Sequence, residues 1–176
     1  TNGELSVSGT GGTMYRIPIA LPPGINNVAP NISLTYNSQS GDGYAGYGWN
    51  IGGVSKITRI PSTIYHDGVV DPVDYDALDR FALDGQRLIL KAGIYGQVGS
   101  TYETENYSNL TVSLLGFLGF SYFKVEYSDG SFAVFSKSGN TDYSIEYWKN
   151  PQGLTIGYEY YPSDFLFEDV RLIKSI

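Results

Sequence analysis

Alternation of apolar and polar residues with a period of two is the feature that most restricts the fold of this 176-residue chain. Leu5 and Val7 alternate with polar neighbours, and so do Ile32, Leu34 and Tyr36. Because successive side chains of a strand point to opposite faces, this pattern is typical of half-buried β-strands. No long window carries a convincing period of 3.6, and glycine or proline interrupts most candidates. The pattern therefore favours strands over helices.

Tight turns separate the alternating runs. Asp84-Gly85 and Asp129-Gly130 each lie between two such runs, and this predicts type I′ hairpin turns, which need positive φ at both central residues. Residues 150–153 place proline second and glycine fourth, as in a type I turn. We therefore predict an all-β fold with about ten short, mostly antiparallel strands joined by tight Gly-rich turns.

The apolar run at residues 112–120 has no single interpretation. It is far shorter than the roughly 20 residues needed to span a bilayer. A short buried helix, a buried strand and an apolar loop that touches a partner all fit the pattern. Burial within the same chain is favoured, because monomers avoid large exposed apolar patches.

Composition excludes several classes of function. The net charge of −7 gives no basic field for nucleic acid, and it disfavours docking on anionic lipid. The chain has no cysteine, so it has no disulfide, no thiolate nucleophile and no Cys-ligated metal. It opens with Thr1 and carries no basic-then-apolar leader. We expect that a targeting segment has been removed, or that the chain is a piece of a longer protein.

Residues 41–46 read GDGYAG, a G-x-G-x-x-G pattern with Asp67 about twenty residues further on, as in a dinucleotide site. That site needs a helix beginning at the third glycine, yet residues 47–53 hold three more glycines, each costing about 1 kcal/mol in a helix. No kinase motif accompanies the glycines either. We interpret the segment as a tight strand-to-strand connection covered by Tyr44, Tyr47 and Trp49, and we expect no cofactor.

Several segments, in order along nearly the whole chain, resemble a known family. The chain is similar to the N-terminal region of SpvB-type proteins, which the B components of insecticidal Tc toxin complexes and many RHS/YD-repeat proteins share. Residues 92–122 carry no family motif. The matching segments are residues 3–8, YRIPIALPPG at 15–24, PNISLTYNS at 30–38, GYGWNIGGVSKITR at 46–59, DRFALDGQRL at 79–88, FKVEYSDGS at 123–131 and WKNPQGLTIGYEY at 148–160.

The resemblance implies the non-catalytic beginning of a large β shell, built from strand-turn-strand units that form a hollow cocoon. The toxic enzyme and the self-cleaving aspartate protease motif of such proteins are C-terminal, and nothing here matches them. We expect one β-rich module over 1–176, as a fragment of a secreted protein. Its parts are a family signature segment at 1–60, hairpins and an acidic loop at 61–145, and a first YD-repeat-like unit at 146–176. The implied partners are downstream RHS/YD repeats or other toxin-complex subunits, together with self-association through an edge strand.

His66 is the single histidine, and no G-x-S-x-G motif accompanies it, so we interpret it as a turn-facing polar residue and predict no catalytic residue. The nearby acids predict a solvated acidic loop and no metal site. Calcium binding is the alternative, although the spacing is not that of an EF-hand. These acids are Asp67, Asp71, Asp74, Asp76 and Asp79.

Tyr158, Tyr160 and Tyr161 could form a sugar-binding platform, but cross-strand packing is favoured because Tyr158 and Tyr160 share a face with Leu154 and Ile156. The leading hypothesis is therefore a structural, non-enzymatic module. An adhesin-like β domain that binds glycan or protein through its tyrosines is the second. A hydrolase with two carboxylates is the third, although no motif selects a pair among the 18 acids.

Overall fold

The computed structural model describes residues 2–9, 11–43, 45–117, 119–138, 142–161 and 173–176. The chain separates into two compact units, Thr1–Val54 and Ser55–Ile176. The predicted all-β class is confirmed, with seventeen strands among the described residues in place of about ten. The division of 1–176 into three segments stays a prediction.

The first unit is an open antiparallel sheet of four strands in the order β1-β2-β3-β6, beside a small β4–β5 hairpin and a 3-10 turn at Ile25–Asn27. Two strands of this sheet follow the alternating runs seen in the sequence. The strands are β1 Glu4–Val7, β2 Thr13–Pro18, β3 Ser33–Asn37, β4 Asp42–Gly43, β5 Gly46–Tyr47 and β6 Trp49–Gly52.

One face of the open sheet is apolar, because residues directly opposite each other in neighbouring strands share a face. None of the residues that we call the apolar face is buried. They are Leu5, Val7, Tyr15, Ile17, Leu34, Tyr36, Trp49 and Ile51.

The second unit is a closed antiparallel barrel of eight strands, β7 to β14 in chain order, in which β14 pairs with both β13 and β7. The one-turn helix α1, Ile64–Asp67, lies between β7 and β8. The strands are β7 Lys56–Ile60, β8 Arg80–Leu83, β9 Gln86–Ala92, β10 Thr101–Thr104, β11 Leu110–Phe117, β12 Phe120–Tyr127, β13 Phe132–Ser138 and β14 Asp142–Lys149.

Side chains fill the barrel interior. Phe123 is central, since its ring contacts the rings of Phe81, Tyr102 and Tyr143 at centroid distances of 5.2, 6.0 and 4.7 Å. The contacts with Phe81 and Tyr143 are edge-to-face, and such contacts add to the stabilisation from burial. The fully buried apolar residues are Ile57, Tyr102, Val112, Phe123, Val125, Ala133 and Phe135.

Past the barrel, β15 (Thr155–Gly157) pairs with the C-terminal half of β14, and β16 (Glu159–Tyr160) pairs with β17 (Ile173–Ser175). The hydrogen bond from Gly153 N–H to the Asn150 carbonyl confirms the predicted turn at 150–153. The segment 146–176, predicted to be a first YD-repeat-like unit, lies partly outside the described residues.

The two Asp-Gly turns differ. Asp84 and Gly85 both have positive φ, 49° and 82°, which confirms the type I′ turn between β8 and β9. The same prediction for Asp129-Gly130 is wrong, because only Gly130 has positive φ and its N–H bonds to the Tyr127 carbonyl. That turn is of type I, followed by a left-handed glycine.

The apolar run at 112–120 lies in the hairpin of β11 and β12, so its helix alternative is wrong for the described residues. Val112 and Leu114 point into the barrel and are buried. The prediction that the run is buried is wrong at the tip of the hairpin. There, Phe117 and Phe120 lie opposite each other and are 75% and 81% exposed. The hairpin is longer than the barrel wall requires, and its tip extends beyond the core.

Candidate functional site

The loop between β7 and β8, residues 61–79, concentrates most of the polar side chains singled out in the sequence, and we call it the acidic loop. Its local fold follows from capping. Thr63 Oγ1 accepts from His66 N–H, and Gly68 ends the helix in the left-handed conformation with φ of 71°. Backbone hydrogen bonds between Ser62 and Asp71 close the loop. These bonds fix the backbone around α1, where Asp67 lies.

Asp67 is a structural anchor of the acidic loop. Its carboxylate accepts from Arg80 Nε at 2.7 Å, from Thr63 N–H at 2.8 Å and from Arg87, and only 8% of the side chain is exposed. Burial alone would raise the pKa of Asp67, but these hydrogen bonds outweigh burial and hold the pKa below its usual value. The carboxylate stays ionised and bound to the barrel wall.

Asp79 is a second anchor. Its wholly buried carboxylate accepts from Arg59 Nη1 at 2.8 Å, and from the N–H groups of Asp74 and Tyr75 at 3.2 and 2.9 Å. The Arg59 guanidinium also lies over the Phe81 ring, 5.3 Å from its centroid. The predicted solvated loop is therefore wrong for Asp67 and Asp79, because arginines of the barrel strands compensate their burial. It is confirmed for Asp74 and Asp76, which are exposed.

Sequence reasoning missed the arginine partners Arg59, Arg80 and Arg87. A signal was present for Arg59, since it follows inward-facing Ile57 by two residues and therefore points the same way. A buried arginine needs an acid nearby.

The carboxylates of Asp71, Asp74, Asp76 and Asp79 bring oxygen atoms within 4.8 Å of one another. Burial, followed by repulsion from the other three carboxylates, raises the pKa of Asp71. Such an all-oxygen set suits a hard cation such as Ca²⁺. However, Asp79 already accepts three hydrogen bonds, and Asp76 Oδ1 accepts from Leu78 N–H at 2.6 Å. Calcium binding stays an alternative, which titration calorimetry with Ca²⁺ decides.

His66, predicted to be a turn-facing polar residue, lies in the one-turn helix α1. Its Nε2 is 3.0 Å from Glu105 Oε1, and its side chain is 16% exposed. Nδ1 is buried without a hydrogen-bond partner among the described residues. This arrangement joins the acidic loop to the segment after β10.

The three tyrosines considered as a sugar-binding platform lie in different environments. Tyr160 donates from its hydroxyl to the Ile145 carbonyl at 2.7 Å, and burial raises the pKa of Tyr158. Tyr161 is 54% exposed. The packing interpretation is therefore favoured over a platform of three exposed rings.

The glycine-rich segment carries β4, β5 and β6, so Gly46 begins a strand and not the helix that a dinucleotide site needs. Gly48 has φ of 77°, and a Cβ there would lie 2.6 Å from the Tyr36 ring. Tyr36 in turn contacts Trp49 at a centroid distance of 5.2 Å. This confirms the tight strand-to-strand connection, although Tyr47 is 69% exposed and Tyr44 lies outside the described residues.

A depression of about 540 Å³ lies on the outer wall of the barrel. It is lined mainly by β12, β13 and β14, including Tyr122, Ser136, Glu146 and Tyr147, and Phe120 of the hairpin tip forms one rim. No helix among the described residues has the length and apolarity to cross a membrane.

The comparisons with known proteins agree with the motifs. The family model SpvB, described as Salmonella virulence plasmid 65kDa B protein, matches residues 7–154. The chain belongs to this family, as its motifs predicted. A comparison with curated proteins found no match.

Two solved structures share the fold. The structure of TcdB2-TccC3 aligns with a TM-score of 0.70 and 22% identity, over 92% of this chain and 9% of that chain. The N-terminal domain of the effector protein SpvB from Salmonella typhimurium strain LT2 aligns with a TM-score of 0.63 and 20% identity, over 84% of this chain and 55% of that chain. The present chain thus corresponds to part of each of these proteins, and the likeness is one of fold.

Proposed function

We propose that residues 1–176 form a non-catalytic structural module, the N-terminal part of an RHS- or Tc-toxin-like shell. The shell encloses or scaffolds a C-terminal cargo in a secreted protein. The observation that carries the proposal is the barrel interior, which is filled by apolar side chains such as Phe123 and Phe135, both fully buried. A wall element needs a solid core, whereas a ligand-binding barrel needs a cavity. Membership of the SpvB family supports the same role.

The chemistry of the acidic loop also supports a structural role. A catalytic acid or base must exchange protons with a substrate, and it works best with a pKa near the working pH. Asp67 and Asp79 instead accept hydrogen bonds from arginines and backbone amides, and the pKa of Asp67 is lowered. Their role is to hold the acidic loop to the barrel.

The sheet edges supply the partner surfaces. β15 extends the sheet past the point where β14 closes the barrel, and β1 is one of the two edge strands of the open sheet. An edge strand offers unpaired backbone groups to a further strand. We propose downstream RHS/YD repeats of the same polypeptide, or other toxin-complex subunits, as the partners at these edges. Self-association of the isolated module through an edge is the competing use.

Native-state proteolysis of the longer polypeptide tests the shell. Phe123→Ala opens a cavity in the barrel, whereas Phe120→Ala changes an 81%-exposed ring on the same strand. We expect Phe123→Ala to speed cleavage of the C-terminal cargo about tenfold or more through local opening of the wall, and Phe120→Ala to leave it unchanged. A cargo equally resistant in both variants and in a deletion of the module refutes enclosure.

The adhesin-like alternative has one observation in its favour, the exposure of Tyr65, Tyr107 and Tyr47, which are 90%, 77% and 69% exposed. Rings of this kind stack on sugars or bury against a protein. A glycan array that gives a clear hit with the wild type, abolished by Tyr65→Ala and kept by Tyr65→Phe, establishes this function. An array without a hit removes glycan binding from consideration.

A further inference from the structure

We draw no further inference here: the strongest candidate, the side-chain cluster of Asp71, Asp74, Asp76 and Asp79 in the acidic loop, carries none because its buried member Asp79 already has hydrogen-bond partners, and a group of acids needs a second, independent sign of a bound cation that the described residues do not supply.

Discussion

The open sheet of residues 1–54 and the closed barrel of residues 55–176 use the same alternating pattern with opposite results. Of the sixteen buried apolar residues among those described, only Ile32 lies in the first unit, directly before β3. The barrel reaches its core by joining β14 to β7, so that every inward side chain meets others across the interior. Alternation thus creates an apolar face, and closure decides whether that face is buried within the same unit.

Leucine truncation in the two units tests this comparison with the largest expected effect. Leu88 in β9 is 1% exposed, whereas Leu5 in β1 is 71% exposed. We expect Leu88→Ala to lower the free energy of unfolding of the barrel by about 4 kcal/mol, through lost burial and a residual cavity. Leu5→Ala is expected to change the stability of the open sheet by less than about 0.5 kcal/mol.

Urea unfolding measures the two units separately, because each contains one tryptophan, Trp49 in the open sheet and Trp148 in the barrel. Trp49→Phe isolates the signal of the barrel, and Trp148→Phe isolates that of the sheet. Similar losses for the two leucine variants contradict the contrast between an open and a closed apolar face.

The Arg59–Asp79 pair tests how much a buried ion pair contributes to the stability of the barrel. Asp79→Ala leaves the largely buried guanidinium of Arg59 without its carboxylate, so we expect a loss of about 3 kcal/mol in barrel stability. Asp74→Ala, at an exposed acid of the same acidic loop, is the control and is expected to cost less than about 0.5 kcal/mol. Urea unfolding followed by Trp148 measures both. Equal effects indicate that the ion pair is not what holds the acidic loop.

Local features of this fold were predictable from the sequence, and pairings between distant residues were not. The turn at Asp84-Gly85 and the strands on either side follow from residues next to each other, and the structure has them where they were expected. Barrel closure depends on Tyr143 lying opposite Ile57, far apart in the chain, and no local pattern encodes that pairing. The family resemblance supplied the expectation of a β shell, but it did not supply the closed barrel.

The acidic loop shows the same limit at the level of the site. Acid spacing alone predicts solvation, because carboxylates are rarely buried. The buried positions of Asp67 and Asp79 become favourable only once Arg59, Arg80 and Arg87 converge on them from three strands of the barrel. Whether an acid can be buried depends on its hydrogen-bond partners, and the closed sheet fixes the positions of these partners.

Acidification is expected to destabilise the barrel through Asp67. Its pKa in the folded state lies below the value of about 3.8 expected for the unfolded chain, so its contribution to stability is present above that pH and is lost as the pH falls further. Asp67→Asn is expected to lower stability at pH 7 and to flatten the acid limb of the Trp148-detected stability curve. An unchanged limb refutes the role of Asp67 as a charged anchor.

Asp71 is expected to show the opposite sign, and the smallest effect. Its pKa in the folded state is raised by burial and by repulsion from Asp74, Asp76 and Asp79, so ionisation opposes folding above that pKa, and this penalty disappears below about pH 3.8. Asp71→Asn is therefore expected to stabilise the barrel slightly at pH 7 and to have no effect at pH 3, in parallel urea titrations followed by Trp148. Asp84→Asn is a useful contrast, because the Asp84 carboxylate accepts hydrogen bonds from Ser55 Oγ and Lys56 N–H. We expect this substitution to lower the stability of the barrel. Destabilisation by Asp71→Asn at pH 7 contradicts the repulsion, and it indicates that Asp71 holds a favourable partner such as a bound cation.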